Sequence, residues 1–75
     1  MKLTLARAKA ALRIVNVVLR GKVCGDYRVN ILGGTEETAY YTPDLDDACQ
    51  TGVVMAVHAL SIAIANQPKD QHDYD

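Results

Sequence analysis

The chain has 75 residues, no tryptophan or phenylalanine, two cysteines and a formal net charge of −1. That length allows one domain at most, with a core built from Leu, Ile, Val and Ala and helped by tyrosine. Such a core rarely supplies more than about 3–5 kcal/mol, so a disulfide, a metal or oligomerisation is expected to supplement it.

The first two are not expected. Met1 to Arg7 contains no continuous apolar run, so it does not read as a secretory signal. The expected compartment is a reducing cytoplasm, where Cys24 and Cys49 stay free. Cys24, Cys49, His58 and His72 lack the paired spacing of a zinc site, and no metal or cofactor is expected. The most apolar stretch, Gly52 to Ala65, is shorter than the ~20 residues of a bilayer helix and contains His58, so no membrane span is expected. Oligomerisation remains, most simply as a homodimer.

The near-zero net charge conceals an asymmetry. The first 28 residues carry +6 and the remainder −7. Asymmetry of this kind points to partners, or to attraction between the two halves of one domain.

The first predicted element is a helix over Leu3 to Arg20, with Thr4 as N-cap and Gly21 as stop. On a helical projection Lys2, Lys9, Arg13, Asn16 and Arg20 share one stripe. Leu5, Ala8, Leu12, Val15 and Leu19 form the opposite seam. Gly21 to Gly25 then reads as a connector. Asp26 to Leu32 alternates as a half-buried strand, Gly33-Gly34 marks a turn, and Thr38 to Thr42 returns as a second strand. A loop at Gly34-Thr35-Glu36 sets Val29 against Tyr41 and Ile31 against Ala39, which gathers one apolar face.

A second helix follows from a start in Thr42 to Asp47, capped by Asp44, to about Asn66 before Pro68. Its apolar arc is broad. Ala48, Gly52, Ala59 and Ala63 form a ladder of small residues suited to close helix packing. The expected fold is therefore α+β, a helix–β-hairpin–helix (αββα) domain over 1–67. A disordered acidic tail is expected over 68–75.

Two broadly apolar helices exceed what one hairpin can cover, which predicts a dimer or larger assembly. Leu12, Val15 and Leu19 on the first helix, with Gly52, Ala56 and Leu60 on the second, are its candidate interface.

No catalytic constellation is legible, and an enzyme is not expected. Pairing Cys24 with His58 or His72 would require a tertiary coincidence. His58 falls on the polar strip of the second helix. His72 with Asp70 and Asp73 is explained by tail composition as well as by weak metal binding. Two charged features remain. Glu36, Glu37, Asp44, Asp46 and Asp47 place five acids in twelve residues without a base, a candidate contact for a basic protein surface. Lys9, Arg13, Asn16 and Arg20 are the alternative, a basic helix face for nucleic acid. For each, a solvated surface is the simpler account.

From Asp26 onward, Asp-Tyr-Arg-Val-Asn-Ile-Leu-Gly-Gly and then Thr-Ala-Tyr-Tyr-Thr-Pro-Asp-Leu-Asp-Asp-Ala form a hairpin feeding a capped helix. In size and layout this resembles small accessory proteins of phages and prophages, a group that includes anti-CRISPR inhibitors. The resemblance spans about half the chain and carries over no functional residues. It implies a non-enzymatic protein that occludes a host protein's binding surface. The leading expectation is a non-catalytic binding protein that regulates or inhibits a partner. The alternatives are nucleic-acid binding and a purely structural, self-assembling subunit.

Overall fold

A computed structural model describes residues 2–67. The predicted tail, 68–75, lies outside the described residues. The elements run α1 (Leu5–Ile14), β1 (Val17–Val23), β2 (Asp26–Ile31), a 3-10 turn (Glu36–Thr38), β3 (Tyr40–Thr42) and α2 (Leu45–Ala65). The α+β class holds, but the sheet has three antiparallel strands in the order β1-β2-β3, not two.

The extra strand comes from the segment read as the second half of the first helix. Thr4 caps α1 as expected, its Oγ1 accepting from the Arg7 N–H at 3.2 Å. The helix stops at Ile14, six residues before Arg20. Ile14, Val15, Val17 and Val18 are β-branched, which lowers helix propensity and favours strand. Asn16 among them adopts the left-handed conformation, φ 62°, which asparagine tolerates better than most residues. Its carbonyl then accepts from the Leu32 N–H at 2.9 Å, tying the start of β1 to the end of β2.

The expected connector Gly21 to Gly25 is instead the end of β1 and a two-residue hairpin turn. Cys24 and Gly25 both have positive φ, 55° and 91°, and Val23 pairs with Asp26 around them. Two successive positive φ values match the right-handed twist of the flanking strands.

The register between β2 and β3 differs by one from the expected one. Val29 pairs with Tyr40, Arg28 with Tyr41, and Tyr27 with Thr42. A one-residue slip exchanges the faces of a strand, so Tyr40 joins the helix side and Tyr41 the open side. Asn30 fixes this choice. Its side-chain amide donates to the Thr35 carbonyl at 2.8 Å, and its Oδ1 accepts from Thr38 Oγ1 at 2.7 Å. The longer connection closes over Asn30, which is buried with its polar atoms paired.

Both helices pack on one face of the sheet, around Ala8, Leu12, Val17, Leu19, Val29 and Ala48. Of the small-residue ladder of α2, Ala48 and Gly52 are buried, while Ala59 and Ala63 are exposed. A Cβ built on Gly52 would lie 2.9 Å from Leu12 Cδ2 and 3.3 Å from Val17 Cγ1. Asp44 caps α2 as predicted, accepting from the Asp46 N–H at 3.2 Å.

Candidate functional site

The two halves of α2 have different surroundings. Ala48 and Gly52 are buried against the sheet and α1, whereas every residue from Val57 to Gln67 is exposed. The segment Val57–Ala65 therefore overhangs the rest of the described residues. From Val53 to Gln67 there is no charged side chain.

At 100° per residue, Val53, Val57, Leu60 and Ile64 fall in one narrow seam at the alternating four-three spacing of paired helices. His58 lies on the opposite side. The seam borders a groove of about 630 Å³. Its far wall is formed where β1 begins and β2 ends, by Val15, Asn16, Ile31 and Leu32. Leu60 is 60% exposed and Leu32 49%, an unusual cost for two leucines facing one cleft.

At 21 residues, α2 is long and apolar enough to cross a membrane by length and composition, unlike the shorter stretch expected from the sequence. Its first half is docked on the sheet and carries Asp46 and Asp47 in its first turn. The overhang alone is about 14 Å long, half the ~30 Å of a hydrocarbon core.

The expected interface residues divide. Leu12, Leu19 and Gly52 lie inside the chain's own core and are not available to a second chain. Val15 and Leu60 are exposed on the groove, and Ala56 lines it. The sequence reading missed Leu32 and Val57, because the groove exists only once β1 has formed. The four-three spacing of the seam was the available signal.

The acidic residues are not one free patch. Arg28 Nη2 donates to Glu36 Oε1 at 3.2 Å and its Nε to Tyr41 Oη at 3.1 Å, while the Tyr41 hydroxyl donates to Glu36. These bonds, led by that from Tyr41, hold the Glu36 carboxyl below its ordinary pKa and the Arg28 guanidinium above its own. Tyr40 donates to Asp47 Oδ2 at 2.7 Å, which raises the phenol above its ordinary pKa. Since Tyr40 and Tyr41 point to opposite faces of β3, Glu36 and Asp47 are separated by the sheet. Asp44 caps α2. Glu37 and Asp46 have no side-chain hydrogen bond or ion pair among the described residues.

The basic stripe is broken as well. Lys9 and Arg13 remain one turn apart on exposed α1, but Asn16 is in the turn after it. Arg20 is on β1, paired with Arg28.

Cys24 is exposed at the hairpin tip and Cys49 is half-buried; burial, with Asp46 nearby, pushes the Cys49 thiol up. Among the described residues no three His, Cys, Asp or Glu side chains gather closely enough to hold a metal. The chain matches no protein-family model, no curated protein and no solved structure.

Proposed function

We propose that this chain is a small non-catalytic binding protein that regulates or inhibits a partner protein, with the second half of α2 as its contact surface. One observation carries the reading: Val53, Val57 and Leu60 of the uncharged seam, which continues to Ile64, face a largely apolar groove that none of the described residues fills. Helices in proteins owe most of their stability to a packed apolar face. The overhang has such a face and, among the described residues, no packing for it. Interface centres are depleted of charge, as this segment is. Glu37 and Asp46 are carboxylates left to contact or steer a basic partner.

Photo-crosslinking tests this. A photoreactive side chain is placed at Leu60 and, as a control, at Arg20 on the sheet. Crosslinks to a defined protein at Leu60, with none at Arg20, are expected. Equal yields at both positions, or none at Leu60, contradict the reading.

A further inference from the structure

We infer that the occupant of the groove is a second copy of this chain, docked reciprocally: each overhang lies in the partner's groove, and the two α2 seams pack against each other. The inference rests on reading the overhang as a protein-contact surface, and it names the first partner.

Three features favour a second copy. The seam and the groove adjoin within one molecule, so one two-fold operation buries both on both copies, as an isologous dimer requires. The surfaces that meet are uncharged and aliphatic on each side, the composition of permanent homodimer interfaces. The area is of the right order. The six large aliphatic residues on the seam and the groove, Val15, Leu32, Val53, Val57, Leu60 and Ile64, are 49–60% exposed, and Ala56 and Ala59 line the groove beside them. Together the six offer on the order of 550 Å² of the ~800 Å² per partner that a standard interface buries.

A bilayer fits less well. The overhang is too short to span alone, and lengthening it would pull Ala48 and Gly52 out of the core. His58, opposite the seam, stays in water in the dimer.

The test uses the full chain with two variants, Leu60→Glu on the overhang and Leu32→Lys on the groove. Both positions are exposed, so each variant should keep the wild-type circular dichroism and cooperative unfolding. Light scattering should give wild-type particles of twice the 8.2 kDa chain mass. Each variant alone should be monomeric, its dissociation constant raised more than about 100-fold by an unpaired charge at the interface centre. Mixing the two should restore a dimer, because one groove then holds a Glu–Lys pair and the other is wild-type.

A wild-type chain monomeric at submillimolar concentration would overturn the inference. So would variants that both remain dimeric, or a Leu32→Lys variant that dimerises alone. A monomer that co-sediments with phosphatidylcholine vesicles through Leu60 would replace the second copy with lipid. A monomer whose Leu60 still crosslinks to a different protein would overturn the second copy and leave the contact reading standing.

Discussion

Gly52 and Leu12 meet so closely that a Cβ on Gly52 would stand 2.9 Å from the Leu12 side chain. This contact locks α2 to α1 and sets where the supported half of α2 gives way to the overhang. Gly52→Ala gains helix propensity but overpacks the core. A net destabilisation of about 1–3 kcal/mol is expected, measured by urea unfolding. Gly52→Ala with Leu12→Val should recover part of it.

Among the described residues, Asn16 and Cys24 are the non-glycine positions with left-handed backbone. Asn16→Ala should destabilise the fold by about 1 kcal/mol. Cys24→Asn should stabilise it, since Asn-Gly suits a turn with two positive φ values. Thermal melts of the two variants should move in opposite directions.

The Arg28–Tyr41–Glu36 contacts give an acid-side dependence. The folded pKa of Glu36 is held below its ordinary value of 4.5, led by the Tyr41 hydrogen bond. Its contribution is therefore complete above that value and is lost as pH falls through the folded pKa. Glu36→Gln should flatten this part of the stability profile, with the difference from wild type vanishing at the acid limit. The effect is small because the pair is exposed.

Tyr40 gives the opposite sign. Its folded pKa lies above its ordinary value of 10.0 because it donates to Asp47. That contribution is present below the unfolded value and is lost as pH rises through the folded one. Absorbance titration should show one phenol ionising late, and Asp47→Asn should bring it forward.

The cysteines should react unequally. Cys24 is exposed, whereas Cys49 is half-buried with its thiol pushed up. Iodoacetamide should label Cys24 first in the folded chain and both at similar rates in denaturant.

Signals local to the chain were legible in the sequence. Thr4 and Asp44 announced their helices, and Pro68 the end of α2. What failed was segment type where two signals overlapped. Leu19 fits a helical seam as well as a strand, and Asn16 looked like a polar member of a basic stripe. Only pairing with β2 decides between them. The register of β3 was hidden because it depends on Asn30 organising the connection beneath it. The proposed contact surface was half visible: Leu60, Ala56 and Val15 at the groove were identified, while Leu12, Leu19 and Gly52 lie in the chain's own core.

The most direct test of the overhang as a contact surface is amide hydrogen exchange as a function of chain concentration. Amides of Val57–Ala65 should gain protection on concentration, with Leu32 at the groove, while the Cys24–Gly25 turn stays unchanged. Exchange over Val57–Ala65 that is fast and independent of concentration, with or without a captured partner, would contradict the account.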